Sequence, residues 1–234
     1  MAYINVNNVG FAYDEEPVLT DISFTVEPGE FVVLTGENGA AKTTLLKLIL
    51  GLLSPTEGEA HLAKRNRQGQ KLQVGYVPQT IASFNVGFPS TVEQFVASGR
   101  FQQDRWFKPL DAEDHEHIER ALRSVGMWEA RQKRIGDLSG GQKQRIGLAR
   151  VFATDPDCFV FDEPTTGMDK TSRRSFYELL QHNTEVHGKA ILLVTHDDID
   201  LSEFYDKHIH LTRKEGTPWR CFSMTSCSEP SSPA

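Results

Sequence analysis

The 234-residue chain is long enough for one large domain, and its 38% hydrophobic and 24% charged residues are typical of a soluble globular protein. Its formal net charge of −7 argues against a nucleic-acid-binding surface. The N-terminus has no signal-peptide pattern, the longest apolar run (45–53) covers about half of a bilayer span, and three cysteines form no disulfide framework. We therefore expect a cytoplasmic protein.

The first elements in chain order are short β-like runs separated by turns. YINVNNV, ISFTVE and FVVLTG read as strands, with a turn at Pro28 and Gly29. A helix follows in TTLLKLILGLL and stops near Gly51, and KLQVGYVPQ then predicts a strand that ends at Pro78. We expect an N-terminal antiparallel β subdomain that leads into the first part of an α/β core.

The loop GENGAAKTT at 36–44 has the spacing of a phosphate-binding loop, or P-loop, except that Ala41 replaces its second glycine. Such a loop places backbone N–H groups around phosphate oxygens, while its lysine reaches the terminal phosphates and the next hydroxyl binds Mg²⁺. The methyl of Ala41 costs little at negative φ and about 1 kcal/mol at positive φ. An accidental turn of small residues before a helix is the alternative. The residues expected to hold the nucleotide are Gly36, Asn38, Gly39, Ala41, Lys42, Thr43 and Thr44.

The segment from about 91 to 136 is helical and charged, with no strand signal, and predicts an inserted α-helical subdomain. From 137 onward apolar strands alternate with helices, which implies a mostly parallel sheet covered on both faces. The predicted fold class is α/β: a P-loop NTPase core with a mostly parallel sheet, the antiparallel β subdomain and the helical insert. We assign residues 1–213 to this domain and the Ser/Pro-rich residues 214–234 to a partly disordered C-terminal tail.

A pair of carboxylates follows the apolar strand CFVF. Ligands of α/β sheets bind at the carboxyl ends of the strands, which is where Asp162 and Glu163 are expected to lie. We expect Asp162 to hold the Mg²⁺ of a nucleotide and Glu163 to position and polarise the attacking water. The alternative is a pair of capping acids at the end of a strand.

The sequence LSGGQ at 138–142 predicts a second anion site, because Ser139, Gly140 and Gly141 directly precede a helix. A nucleotide has a single terminal phosphate. The simplest explanation of two phosphate cradles is a head-to-tail homodimer, in which the P-loop of one copy and the Ser-Gly-Gly loop of the other enclose one ATP. A glycine-rich helix N-cap is the alternative and explains SGG alone.

Taken together, these motifs resemble those of the ATP-binding-cassette (ABC) ATPases over nearly the whole chain, with LSGGQ, including Gln142, as the family signature. The resemblance implies hydrolysis of Mg²⁺-bound ATP. It assigns Tyr13 to stacking on adenine, Gln79 to sensing Mg²⁺, Asp169 to the D-loop and His196 to the γ-phosphate. Taken singly, each of these residues also has an ordinary structural explanation, such as packing at an edge strand for Tyr13.

A finer resemblance is to the ATPases of bacterial zinc and manganese uptake systems, and it is seen in FNVGFPSTVEQFVASGR. GENGAAKTT and PWRCF are similar to the Adc/Znu-type zinc importers of Firmicutes. The resemblance implies a subunit at the cytoplasmic face of the membrane that dimerises on binding ATP, with separate integral-membrane permease subunits and an extracellular metal-binding lipoprotein. Another cargo, or a regulatory ATP-dependent module without transport, remains the alternative. His208 and His210 share a strand face, but the cysteine spacing matches no standard zinc site.

Overall fold

The computed structural model describes residues 1–79, 89–101, 109–196, 201–213 and 221–228. The strands are β1 Ile4–Tyr13, β2 Glu16–Val26, β3 Phe31–Gly36, β4 Glu57–Leu62, β5 Val74–Val77, β6 Cys158–Asp162, β7 Ala190–Val194, β8 Lys207–Arg213 and β9 Phe222–Ser228. The α-helices are α1 Lys42–Ile49, α2 Val92–Ala97, α3 Ala112–Ser124, α4 Gly140–Ala153 and α5 Lys170–Glu185. Single 3₁₀ turns occupy Ser98–Arg100, Trp128–Ala130 and Ile135–Asp137.

The strands form one mixed sheet in the order β4-β1-β2-β9-β8-β3-β7-β6-β5. β1 pairs antiparallel with both β2 and β4, whereas β3 pairs parallel with β7 and β8, and β6 pairs parallel with β7. Every residue of β6 and β7 is buried, as continuously apolar strands of a covered parallel sheet should be. The predicted α/β class, with antiparallel N-terminal strands and a parallel core, is confirmed.

Strand β9 lies within residues 214–234, the segment that the sequence assigned to a partly disordered tail. β9 runs antiparallel to β8 and pairs in parallel with β2 through Leu19 and Phe222. Cys221 and Phe222 are each only 2% exposed, and burial of these two apolar side chains stabilises the serine-rich segment as part of the sheet. The sheet therefore continues beyond β8 into the C-terminal segment. The other residues of 214–234 lie outside the described part.

The chain divides into two compact units, which we describe separately. The first contains Met1–Val74, Asp157–Glu163 and Leu180–Ala234, and the second contains Gly75–Pro156 and Pro164–Leu179. In the second unit, α2, α3 and α4 share a hydrophobic core that includes Val96, Leu122 and Ile146. Helices α2 and α3 lie within the predicted insert of 91–136, and the signature helix α4 packs on the same core.

Candidate nucleotide-binding site

The loop between β3 and α1 has the backbone that a phosphate cradle requires. At Gly36 an added Cβ would lie 2.9 Å from the carbonyl oxygen of Leu211, so only glycine fits there. Gly39 has a φ of 84°, in the left-handed region that glycine adopts without strain. Asn38 is exposed on the loop, and Thr44 is partly buried in the first turn of α1. The predicted phosphate-binding residues therefore lie on the loop 36–41 and in the first turn of α1, which follows it directly.

Ala41 occupies the left-handed conformation that its sequence position had left open. Its φ of 59° and ψ of 21° are those of an N-cap without a side-chain hydrogen bond, and its carbonyl accepts from the N–H of Leu45 at 2.9 Å. A residue with a Cβ pays about 1 kcal/mol or more in this region. Of the two possibilities for the replaced glycine, the structure therefore shows the strained one.

The ammonium group of Lys42 is folded back onto its own loop. Its Nζ donates to the carbonyl of Gly36 at 2.9 Å and to that of Glu37 at 3.1 Å, and the residue is only 6% exposed. A buried cation requires such partners. The two bonds hold the positive charge over the loop whose N–H groups would meet phosphate oxygens.

Thr43 and Asp162 meet at the carboxyl end of β6. The hydroxyl of Thr43 donates to Oδ2 of Asp162 at 3.0 Å. Burial raises the pKa of Asp162, and the charge of Glu163 adds to this, while the hydroxyl of Thr43 opposes it. A hydroxyl beside a carboxylate supplies the hard oxygen ligands that Mg²⁺ prefers, and a cation there would offset the buried negative charge. These two residues therefore fit a magnesium site.

Glu163 and His196, predicted separately from two strand ends, are in direct contact. Oε1 of Glu163 lies 3.1 Å from Nδ1 of His196, whose side chain is half exposed. The backbone N–H of Glu163 donates to the carbonyl of Val194 at 2.9 Å, yet its φ is 51°. A non-glycine residue in the left-handed region at a candidate catalytic carboxylate is a form of strain that functional sites retain.

The signature loop caps α4 in the second unit. The hydroxyl of Ser139 accepts from the N–H of Gln142 at 3.3 Å, and Oε1 of Gln142 accepts from the N–H of Ser139 at 3.0 Å, which is a capping box. Gly140 and Gly141 have no left-handed φ. Apart from neighbouring residues and the backbone of α4 itself, no atom of the described residues lies within 4 Å of a Cβ added at either glycine. Neither glycine is therefore required by the conformation or packing of the described chain itself.

The remaining predicted residues lie at the surface. Tyr13 is 48% exposed at the end of β1, with its ring edge-on to Phe11 at 4.8 Å. Gln79 is exposed just after β5. Asp169 accepts from the backbone N–H of Ser172 at 3.0 Å and from its hydroxyl at 2.7 Å, and these bonds lower the pKa of the carboxyl. Asp169 therefore begins α5 while its carboxylate stays accessible.

Gln144 is a residue of this region that the sequence reasoning missed. It is 7% exposed on α4, and its Nε2 donates to the carbonyl of Pro164, which directly follows Glu163. The available signal was a polar amide at a position of the helix between residues of the apolar face. That signal alone does not reveal which carbonyl the amide would reach.

Comparison with known proteins places these features in one family. The sequence profile described as ABC transporter matches residues 19–166. The zinc transport system ATP-binding protein AdcC of Streptococcus pneumoniae is 57% identical, with 96% of each chain covered. The high-affinity zinc uptake system ATP-binding protein ZnuC of Bacillus subtilis is 48% identical, with 98% of this chain and 99% of that protein covered.

Among solved structures, a dimeric ATP-binding cassette in a post-hydrolysis state, bound to ADP and phosphate, is similar over 97% of this chain and 99% of its own. Its TM-score is 0.75 and its sequence identity 25%. Within the described residues, no helix combines the length and hydropathy needed to cross a bilayer.

Proposed function

We propose that this chain, which belongs to the ABC transporter family, is the ATP-hydrolysing subunit of a bacterial importer for a divalent metal ion. Zinc is the first candidate for that ion and manganese the second. The observation that carries the enzymatic part is the arrangement at the end of β6. There Thr43 of the P-loop helix contacts Asp162, and the adjacent Glu163 contacts His196. These contacts support a phosphate cradle, a magnesium site and a general base at neighbouring strand ends.

Each of these residues has a distinct part in the reaction. Lys42 and the loop N–H groups bind the phosphates, and Glu163 holds a water in line with the γ-phosphate and accepts its proton. His196, which already touches the carboxylate, orients it and contacts the γ-phosphate. Thr43 and Asp162 would hold a Mg²⁺ ion and Gln79 would sense it, and the ion would neutralise charge on the phosphates. The exposed ring of Tyr13 is free on one side for an adenine base.

The open N-terminus of α4 supports a homodimer that forms on binding ATP. Gly140 and Gly141 are not required by the described chain, and a glycine pair at a helix N-terminus lets an anion approach the backbone closely. In the proposed head-to-tail pair, Ser139 and these glycines contact the γ-phosphate that lies in the P-loop of the other copy, and Asp169 lies near the same interface. Each ATP would then bridge the two subunits and hold them closed.

The cargo and the membrane partners are inferred from the relatives. Two proteins that cover nearly the whole chain are described as ATP-binding proteins of zinc transport or uptake systems. We infer that this subunit acts at the cytoplasmic face of the membrane, beneath integral-membrane permease subunits. An extracellular metal-binding lipoprotein would deliver the ion. ATP-driven closure and opening of the dimer would be passed to the permease.

The enzymatic proposal is tested by replacing Glu163 with glutamine. We expect measurable Mg²⁺-dependent ATPase activity in the wild type, and in E163Q a loss of turnover with retained ATP binding, because the amide cannot take the proton of water. The matched control is Glu178→Gln on α5, an exposed carboxylate paired with Arg174, which should keep full activity. Wild-type turnover no faster than that of E163Q would contradict the proposal.

The transport proposal is tested in cells that lack this gene. Wild-type protein should restore uptake of zinc, and to a lesser extent of manganese, whereas E163Q should restore neither. Co-purification of the chain with a permease would support the same conclusion. Active ATPase with no effect on either metal would point to another cargo or to a regulatory module.

A further inference from the structure

Gln144 connects the signature helix to the turn that follows Glu163. Its buried amide donates to the carbonyl of Pro164, and its Oε1 lies 4.0 Å from the point where a Cβ of Gly167 would be. Gly167 has a φ of 81°. One side chain of α4 therefore bonds to the first residue of the short turn 164–167 and lies near its last.

The backbone at the start of this turn depends on contacts from outside the turn. Glu163 has a φ of 51°, which is unfavourable for a residue with a Cβ and persists only where the surroundings hold it. Pro164 has no N–H, so its carbonyl is the sole backbone hydrogen-bonding group of that residue. Gln144 occupies that carbonyl from a buried position, where an unpaired polar group is costly. The bond therefore constrains the residue next to the strained carboxylate-bearing one.

We propose that Gln144 is a positioning residue that couples the two ATP sites of the dimer, an inference that depends on the proposed function. In the proposed head-to-tail dimer, Ser139 at the N-cap of α4 contacts the ATP held by the second copy. Gln144 lies on the same helix, a little over one turn further on, and a helix moves as a rigid rod over that length. A shift of Ser139 on the partner's nucleotide is thus passed to Pro164 and to the subunit's own Glu163.

The coupling is tested with Gln144→Met, which keeps the length and volume of the side chain and removes the amide donor. We expect nucleotide affinity of the P-loop to stay within about twofold, kcat to fall about tenfold, and the Hill coefficient for ATP to fall from above one toward one. A merely structural loss would lower the active fraction without changing the Hill coefficient. The matched control is Gln181→Met on α5, whose amide donates to the carbonyl of Glu203 at 3.3 Å and should leave all three values unchanged.

A second variant covers the case in which Gln144→Met fails to fold. Gln144→Glu retains the shape of the side chain and regains a donor only when its carboxyl is protonated, which burial favours. Its rate relative to the wild type should therefore rise as the pH is lowered. A folded Gln144→Met with wild-type kcat and Hill coefficient, a wild-type Hill coefficient of one, or a flat pH ratio for Gln144→Glu would overturn the coupling. Failure of the ATPase assignment itself would appear earlier, as wild-type turnover equal to that of E163Q.

Discussion

Replacing Ala41 with glycine is expected to stabilise the protein without tightening nucleotide binding. The left-handed conformation at a φ of 59° costs a non-glycine residue about 1–2 kcal/mol. Glycine adds about 0.4–1 kcal/mol of conformational entropy to the unfolded chain. The midpoints leave a net gain of about 0.8 kcal/mol, or about 2–3 °C in Tm for a chain of this length.

The assay is thermal and urea unfolding of nucleotide-free protein, with Ala40→Gly as the matched control. Ala40 is 1% exposed and has no left-handed φ. Its replacement removes a buried methyl and adds chain entropy, so its free energy of unfolding should fall by about 1–2 kcal/mol. The two adjacent Ala→Gly changes are thus expected to have opposite signs. Because the strain at Ala41 is present before ATP arrives, the ATP affinity of A41G should stay within about twofold of the wild type.

A lower unfolding midpoint in A41G, of the kind expected for A40G, would refute a conformational strain at Ala41. That result would mean that the left-handed backbone at this position carries no appreciable penalty. A large gain in ATP affinity in A41G would instead mean that Ala41 becomes more strained when nucleotide binds.

Two further predictions concern pH. Burial raises the pKa of Asp162 despite the bond from Thr43, so the nucleotide-free fold loses stability as the pH rises from about 3.8 through the folded-state pKa. In urea unfolding at neutral pH, Asp162→Asn should therefore have a higher free energy of unfolding than the wild type, and the difference should close toward pH 3.8. The same variant should lose Mg²⁺-dependent ATP binding. Burial, and secondarily the charge of His210, lowers the pKa of His208. The stability that the fold gains from neutral His208 is therefore complete above about pH 6.5 and is lost as the pH falls through the folded-state pKa. Urea titrations across pH 5–8 should show a smaller loss of stability in His208→Gln. The loss should persist in His61→Gln, an exposed control on β4. Equal pH dependence in both variants would contradict the attribution of the loss to His208.

The parts of the site that follow from local sequence were predictable. Gly36, Lys42 and Thr43 lie within one loop and helix, and Ser139 caps the helix that it precedes, so their spacing alone indicates where they lie. The meeting of Thr43 with Asp162, 119 residues later, also follows, because parallel strands bring their carboxyl ends to one edge of a sheet.

Other features depend on contacts that a single sequence does not specify. The residue types at positions 41 and 163 do not fix the sign of φ. The positive φ of Ala41 and Glu163 depends on the surrounding structure. The composition of the C-terminal segment predicts disorder, but the burial of Phe222 beside β2 and β8 outweighs it. The bond from Gln144 to Pro164 joins two distant segments and has no local pattern to announce it.

The head-to-tail sandwich is tested most directly by complementation between two defective chains. In an E163Q background, one chain carries Lys42→Ala and the other carries Ser139→Arg, which blocks the signature loop. Each variant alone would have two damaged sites, whereas a mixed dimer would have one intact site made from the P-loop of the second chain and the signature loop of the first.

Sedimentation with Mg²⁺-ATP measures the outcome. Each chain alone is expected to stay monomeric, and the mixture is expected to form a dimer that retains one ATP. A mixture that remains monomeric, under conditions in which the parent E163Q protein dimerises, would contradict the head-to-tail dimer.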